Sequence, residues 1–312
     1  MPDDEVDILR ERLLQGRRSF DVIVDQLDVS RQRTQKISTQ KAKPTYLAKI
    51  DKAKIKIASG ALEHPDHIAQ AVGKERHLAL FAGTYYSTKT TKDLEAYFKI
   101  EKRGNWNDKE NKQQVFKILA RSCSWSALPL LAFLATTMMK NGKIDFIGTI
   151  SGTLEFEDAA HMKGIDLCVL CTKSDIGKCE EHPHCLYKTK GSLAIRGSLL
   201  DDSNIVIDDV VTDVMKAFWD RVEKENVTVI VTGTSGKWDP LCVVEKIKNE
   251  LSKGLDVVFV NPNAKNTPLY LDAYVPLHKE NLVFPVDGED FLLEVLLNHG
   301  IASSEILPEE IM

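Results

Sequence analysis

Four of the six cysteines lie within an eighteen-residue segment and form a candidate metal site. The first two are separated by two residues, a spacing at which two thiolates bind one zinc ion on a tight turn. Four thiolates make a closed, tetrahedral and therefore structural centre. The predicted ligands are Cys168, Cys171, Cys179 and Cys185, with His182 and His184 as nearby substitutes. Reduced thiols in a surface loop are the alternative, and Cys123 and Cys242 are interpreted as core residues.

Three loops that follow predicted strands carry glycine, hydroxyl or amide residues suited to ligand binding. They are residues 83–87 (GTYYS), 233–236 (GTSG) and 261–263 (NPN). Glycine lets the backbone approach a ligand closely, and hydroxyls together with the free N–H groups of a following helix bind phosphate. A glycine after a strand is also a common turn residue, so both interpretations stay open at this stage.

The elements that would position these residues are apolar strands separated by amphipathic helices. The predicted strands are HLALFAG, KIDFIGTI, SLAIRGSL, VTVIVTG, LDVVFVNPN and NLVFPV. The predicted helices are NKQQVFKILARS, SALPLLAFLATTMMKNG, IDDVVTDVMKAFWDRVEKEN, DPLCVVEKIKNELSKG and GEDFLLEVLLNHG. Uninterrupted apolar strands indicate a parallel sheet that is covered on both faces. The sequence therefore predicts an α/β fold, a Rossmann-like parallel sheet with helices on both faces plus a small zinc-binding module.

The first 70 residues predict a separate, mostly helical and partly basic extension. Gly16 and the basic stretch after it argue against one long helix. Residues 31–56 contain nine Lys/Arg residues and a single acid, Asp51. Such a stretch can contact the phosphates of a nucleic acid or nucleosome, or it can be a solvated helix face. The net charge of −5 does not decide between them.

Composition and charge distribution indicate where the domain boundaries lie and whether a membrane span or secretory signal is expected. There is no apolar run of about 18 residues, so no membrane span is expected. The acidic start, MPDDEVDILRERL, predicts no secretory signal, and disulfides are therefore not expected. Predicted boundaries are an extension at 1–70, a main domain at 71–300 with the metal module inserted at 162–192, and an acidic, frayed tail at 301–312.

The order of segments over roughly residues 75–300 resembles the sirtuin (Sir2) family. In that family a strand runs into Gly-Thr-Ser and the next strand ends in Asn, and both loops contact NAD. In this sequence VTVIVTGTS and GLDVVFVNPN stand in the same order. Upstream, NGKIDFIGTISGTLE is similar to the segment in which a strand leads to Thr-Gln-Asn-x-Asp-Gly-Leu. The cysteine segment CVLCTKSDIGKCEEHPHC sits where the family has its zinc module.

The resemblance implies a set of NAD-binding residues and one catalytic base. His161, seven residues before Cys168, stands in the order of the family's catalytic histidine. A histidine titrates near neutral pH and can accept a proton from a ribose hydroxyl within hydrogen-bond reach. A packed or surface histidine is the alternative. The cofactor-binding candidates are Gly83, Ser87, Gly233, Thr234, Ser235 and Asn261.

Two chemistry-bearing motifs of the family are absent from this sequence. The family's Gly-Ala-Gly-x-Ser loop is replaced by AGTYYS, and no Pro-Asp-Phe-Arg element follows it. In place of Gln-Asn-x-Asp stand Thr149, Ile150, Ser151 and Gly152. Thr and Ser supply one hydroxyl each, whereas Ile has no hydrogen-bonding group.

Retention of the fold-bearing segments with loss of both motifs predicts a sirtuin-fold protein that lacks deacylase activity. Its expected role is an interaction or scaffold subunit with a protein partner, and the resemblance implies a chromatin-associated complex and the nucleus rather than the cytoplasm. The alternatives are a divergent NAD-dependent protein-lysine deacylase, with His161 as its base, and an NAD hydrolase on the same fold.

Overall fold

The computed structural model describes residues 20–59, 77–83, 128–179, 182–189, 209–234 and 243–309, together with Ile311. Its centre is one seven-stranded sheet in which every paired neighbour is parallel. The strand order is β3-β4-β2-β1-β5-β6-β7. The strands are β1 (Leu78–Ala82), β2 (Ile144–Thr149), β3 (Cys168–Leu170), β4 (Cys185–Lys188), β5 (Thr228–Thr232), β6 (Val257–Val260) and β7 (Val283–Phe284).

The central strands are buried along their whole length. Every residue of β1, β5 and β6 is buried. A strand covered on both faces has no solvent side, which is why these segments are continuous apolar runs without polar alternation. The predicted Rossmann-like parallel sheet is confirmed.

Six α-helices accompany the sheet in the described part of the chain. They are α1 (Phe20–Ala58), α2 (Leu130–Lys140), α3 (Glu155–Met162), α4 (Asp209–Glu225), α5 (Val243–Ser252) and α6 (Gly288–Asn298). Helix α2 contacts α3 and α6, and α6 contacts α1. The chain crosses from β1 to β2 in one direction and from β4 to β5 and β6 in the other. Because such crossovers are right-handed, α2 and α3 cover one face and α4 and α5 cover the other.

An aromatic cluster joins α4 to its face of the sheet. Phe218 of α4 packs against Phe81, Phe146 and Tyr187, with ring centroids 5.4 to 5.7 Å apart. Gly148 of β2 makes room for this packing, because a Cβ there would lie 2.8 Å from both Phe218 and Phe81.

The cysteine segment differs from the irregular insert that the sequence predicts. Residues 168–170 and 185–188 are strands β3 and β4, which extend the main sheet beyond β2. A 3-10 helix (Lys173–Cys179) connects them. These strands have three and four residues, too few for a period-2 pattern to be recognised.

Helix α1 also differs from prediction, because it continues as one 39-residue helix through Pro44. Tyr46, Ile50 and Ala53 on its inner face are buried in the core. The Tyr46 hydroxyl donates to the Leu128 carbonyl. Tertiary docking of this face stabilises helix where the local sequence alone would not.

The C-terminal segment is packed rather than frayed. Ile306, Leu307 and Ile311 are buried in the main core. Lys163, just after α3, donates from Nζ to Thr137 Oγ1 at 2.5 Å and to the Glu305 carbonyl at 2.7 Å. Burial lowers the pKa of Lys163 to about 7, helped by the charge of Lys140. The acidic composition of this tail conceals three apolar residues that are buried in the main core.

Several predictions fall outside the described residues. They are the strand SLAIRGSL, the helix NKQQVFKILARS, the loop residues Ser87 and Ser235, the Cys179 side chain, Cys123 and Cys242. Within the described ranges, no helix combines the length and apolar character that crossing a membrane requires.

Candidate functional site

Two predicted cofactor-binding glycines meet at the centre of the sheet. Gly83 follows β1 and Gly233 follows β5, and these strands are neighbours. The chain leaves β1 toward β2 on one side, while β5 lies on the other, so the strand order reverses between β1 and β5. Ligands of open parallel sheets bind at the carboxyl ends of the strands at such a point. The structure therefore brings Gly83 and Gly233 to the position where a ligand is expected.

The two glycines pack directly against each other. A Cβ on Gly83 would lie 1.9 Å from the Gly233 carbonyl oxygen and 2.7 Å from the Thr234 nitrogen. The Gly83 N–H donates to the Thr232 carbonyl at 2.7 Å. Gly233 has a φ of 71°, a left-handed conformation that favours glycine. Contacts between the loops themselves are therefore sufficient to require glycine at both positions.

Asn261 completes this edge, and both ends of its side-chain amide are hydrogen-bonded. Its Nδ2 donates to the Thr234 carbonyl at 3.2 Å, and its Oδ1 accepts from the Asn263 N–H at 2.8 Å. The Asn261 N–H donates to the Phe284 carbonyl at 3.1 Å. Gly83 and Asn261 fit an NAD site in position, but these hydrogen bonds hold the loops together instead of pointing to a ligand.

The loop after β2 lies beside Gly83 and has an internal hydrogen-bond chain. The Ile150 N–H donates to the Ala82 carbonyl at 3.2 Å. The Ser151 N–H donates to Thr149 Oγ1 at 3.0 Å, and the Ser151 and Thr153 hydroxyl oxygens are 2.5 Å apart. The Thr153 hydroxyl donates to the Glu155 carboxylate. The hydroxyls of Thr149, Ser151 and Thr153 are therefore engaged within this loop.

A buried lysine anchors this loop, and sequence reasoning missed it. Lys188 ends β4 and its side chain is 0% exposed. Its Nζ donates to Glu157 Oε1 at 2.6 Å and to the Thr153 carbonyl. A buried ammonium is tolerated only when it is paired in this way. The sequence shows only a lysine that follows three apolar residues. Neighbouring residues alone do not show whether such a lysine is buried or exposed.

The structure does not bring His161 to the edge that holds Gly83 and Gly233. His161 is exposed and lies in the last turn of α3. Helix α3 starts after the carboxyl end of β2 and leads to the amino end of β3, so its last turn points away from the ligand edge. At 1.5 Å per residue, His161 is about 9 Å farther along the helix axis than Glu155.

The other described histidines also lie on the amino side of the sheet. His77 directly precedes β1, and two more precede β4. His278 follows Tyr274, whose hydroxyl donates to the carbonyl of Val257, the first residue of β6. His299 follows α6, which starts after the carboxyl end of β7. Among the six histidines in the described ranges, topology places none at the ligand edge.

Three predicted zinc ligands lie on or next to two adjacent strands. Cys168 of β3 and Cys185 of β4 are register partners, and Cys171 follows the end of β3. All three are thiols, which is the donor chemistry that zinc prefers. Cys179 ends the 3-10 helix that connects the two strands. Among the side chains that the structure describes, no three His, Cys, Asp or Glu groups converge as a metal site.

The two histidines considered as substitute ligands differ in availability. His182 Nδ1 lies 3.0 Å from the His184 carbonyl, and its Nε2 lies 3.2 Å from Asp166 Oδ2. Both ring nitrogens of His182 are therefore engaged. His184 Nδ1 is buried without a hydrogen-bond partner, which leaves His184 as the substitute with a nitrogen to offer.

Comparison with known proteins gives no family assignment. No protein-family model matches the chain, and no curated protein matches it. Among solved structures, the chain is similar to a mutant of a Sir2 homologue in complex with ADP-ribose. The two are 16% identical with a TM-score of 0.44, over 75% of this chain and 95% of that chain. A likeness at this level carries no argument about ligand or activity.

Proposed function

We propose that this chain is a sirtuin-fold protein without deacylase activity that serves as an interaction or scaffold subunit. The proposal rests on the sequence resemblance to sirtuins together with the parallel sheet and its strand order. The observation that carries it is the position of the histidines. Those in the described residues lie on the amino side of the sheet, opposite the edge formed by Gly83, Gly233 and Asn261.

The internal bonding of the ligand edge supports the same proposal. Deacylation by a sirtuin-type mechanism requires polar groups that hold NAD and a base that deprotonates its ribose. In this chain the loop after β2 uses the hydroxyls of Thr149, Ser151 and Thr153 within itself. Asn261 is engaged at both ends of its amide. Polar groups that bond to one another stabilise these loops and the fold, but they are not directed toward a bound NAD.

The alternative is an NAD-dependent deacylase or an NAD hydrolase with altered motifs. Its support is the meeting of Gly83 and Gly233 at the point where strand order reverses, the usual place for a dinucleotide. In that case Ser87, Thr234 and Ser235 would complete the binding residues, and His161 would have to be replaced by another base.

Zinc is part of the proposal as a structural ion. Cys168, Cys171, Cys179 and Cys185 would hold it, and it would supply a cross-link between β3, β4 and the 3-10 helix that joins them. Such an ion stabilises the edge of the sheet and takes no part in chemistry. The nuclear, chromatin-associated setting rests on the sequence resemblance alone.

The test is an acyl-lysine deacylation assay with NAD, followed by mass spectrometry of the peptide and of the nucleotide products. The proposal predicts neither deacylated peptide nor O-acyl-ADP-ribose above the no-enzyme control. Deacylated peptide together with O-acyl-ADP-ribose above the control would establish the deacylase alternative, and loss of both in His161→Ala would return the role of base to His161. Release of free ADP-ribose without deacylation would establish the hydrolase.

A further inference from the structure

Lys163, the residue that follows α3, lies between α2 and the C-terminal segment. It is half-buried, and its Nζ donates to Thr137 Oγ1 of α2 at 2.5 Å and to the Glu305 carbonyl at 2.7 Å. The other buried lysine described above, Lys188, pairs with the carboxylate of Glu157. Lys163 differs from it, because its hydrogen-bond partners in the described part of the chain are a hydroxyl and a carbonyl. Its nitrogen is therefore held in place by groups that carry no charge.

Two charged side chains act on Lys163 from the elements packed around it. Lys140, the exposed last residue of α2, repels a second positive charge. Glu305 attracts one, but its carboxylate is turned to other donors. Its Oε1 accepts from the Ala302 N–H at 3.1 Å, and its Oε2 accepts from Asn141 Nδ2 at 3.4 Å. Burial and the charge of Lys140 outweigh Glu305, so the pKa of Lys163 falls to about 7.

A neutral amine held in this way is a nucleophile. It has two hydrogens, and the hydrogen bonds to Thr137 and Glu305 use both of them. Because the four positions on nitrogen are tetrahedral, its lone pair points away from both acceptors. At pH 7.5 an amine with a pKa of about 7 is about three-quarters neutral, whereas an ordinary lysine with a pKa of about 10.4 is about 0.1% neutral. Geometry and charge therefore both make Lys163 reactive at neutral pH.

We propose that Lys163 is a site of acylation by small acyl phosphates. The Nζ lone pair attacks the acyl carbon, an amide C–N bond forms, and the C–O bond to phosphate breaks. The phosphate leaves with that electron pair and takes up the proton that the amine loses. The amide product is neutral and keeps one N–H, which suits a half-buried position between two acceptors. The ammonium of Lys140 attracts the negatively charged phosphate of the donor. This inference goes beyond the interaction role proposed above and does not depend on it.

Product charge and reagent size argue against two other electrophiles. Carbon dioxide also reacts with neutral amines, but its carbamate product is an anion. Burial disfavours a charge of either sign, and burial is the largest influence on Lys163. An acyl thioester on a large carrier would have to reach a side chain that lies between α2 and the C-terminal segment. A small acyl phosphate meets neither difficulty.

The test is acetylation of the folded, full-length protein by acetyl phosphate between pH 6 and pH 9, with the occupancy of each lysine measured at early times by peptide mass spectrometry. At pH 7.5 we expect Lys163 to react at least about tenfold faster than the exposed Lys248. The difference in neutral fraction alone would give more, but nucleophilicity falls with pKa, as it does for thiols. The rate at Lys163 should level off above about pH 8, whereas the rate at an ordinary lysine rises through pH 9.

Two variants test the contribution of the neighbouring charge. Lys140→Met removes a positive charge beside Lys163, so the pKa of Lys163 should rise and the attraction for the phosphate donor should be lost. We expect the acetylation rate of Lys163 at pH 7 to fall by about two- to fivefold in this variant. Lys248→Met replaces another exposed lysine and is the matched control, which is expected to leave the rate at Lys163 unchanged.

Each contrary result overturns the inference. Acetylation of Lys163 that is no faster than that of Lys248, or a rate that keeps rising to pH 9, would refute a neutral, nucleophilic amine. Equal rates at Lys163 in Lys140→Met and Lys248→Met would refute the part assigned to the neighbouring charge. Faster reaction with acetyl-coenzyme A than with acetyl phosphate would assign the site to thioesters. A carbamate signal from ¹³C-bicarbonate that Lys163→Arg removes, without acetylation, would assign it to carbon dioxide.

Discussion

Replacing Gly83 by alanine tests whether the glycines at positions 83 and 233 are needed for the packing of their two loops or for the approach of a ligand. The new Cβ would lie 1.9 Å from the Gly233 carbonyl oxygen and 2.2 Å from its carbonyl carbon. Both are backbone atoms, so no side-chain rotation relieves the clash. The loops after β1 and β5 must move apart, and this strains the 2.7 Å hydrogen bond from the Gly83 N–H to the Thr232 carbonyl.

The expected cost follows from two terms. Overpacking of a close-packed site costs about 1–3 kcal/mol. Loss of one buried hydrogen bond costs roughly another 1 kcal/mol. We expect Gly83→Ala to lower the free energy of unfolding by about 2–4 kcal/mol, which at a urea m-value of about 2 kcal/mol/M lowers the midpoint by roughly 1–2 M.

The assay is urea unfolding followed by tryptophan fluorescence, without ligand. The matched control is Gly177→Ala, because Gly177 has nothing within 4 Å of its Cβ position and no positive φ. That variant is expected to stay within about 0.5 kcal/mol of the wild type. If Gly83→Ala unfolds at the same urea concentration as Gly177→Ala, the loops after β1 and β5 do not pack against each other as described. The glycines would then not be explained by loop packing.

Three further predictions concern the aromatic core, the C-terminal segment and the metal site. Gly148→Ala is expected to cost about 1–3 kcal/mol in urea unfolding, because the added methyl overlaps two phenylalanine rings; an unchanged midpoint would contradict that packing. The pKa of Lys163 in the folded chain is about 7, below its usual range, so the folded state binds fewer protons than the unfolded state above pH 7. Stability should therefore rise with pH from 7 toward 9 by about 1–3 kcal/mol more in the wild type than in Lys163→Met, and parallel pH profiles would refute this. Purified protein is expected to contain one equivalent of zinc by elemental analysis, lost in Cys168→Ser and kept in Cys242→Ser; equal zinc in both variants would exclude the proposed ligands.

The sheet was predictable because its central strands are buried on both faces. Such strands must be continuous apolar runs, and β1, β5 and β6 stand out for that reason. Their turns were equally clear, since Gly142 and Gly233 with positive φ follow the helix and strand that they end. Local sequence carries this information because it reflects the immediate surroundings of each segment.

The remaining features depend on contacts between distant segments. Nothing local shows that Lys188 is buried, because its partners Glu157 and Thr153 are more than thirty residues away in sequence. Helix α1 is continuous because it docks on α6 through Lys49 and Glu289. For His161, order along the chain does not show which edge of the sheet a residue occupies. The missed helix α3, which carries His161 to the other side, decides that.

We propose that Gly83 and Gly233 serve to pack two loops together and do not form a cofactor site, and calorimetric titration of the zinc-loaded protein with NAD and with ADP-ribose up to millimolar concentration tests this most directly. We expect no saturable heat for either nucleotide. Saturable binding of either one, weakened by Asn261→Ala, would contradict it and place a nucleotide at the reversal point between β1 and β5.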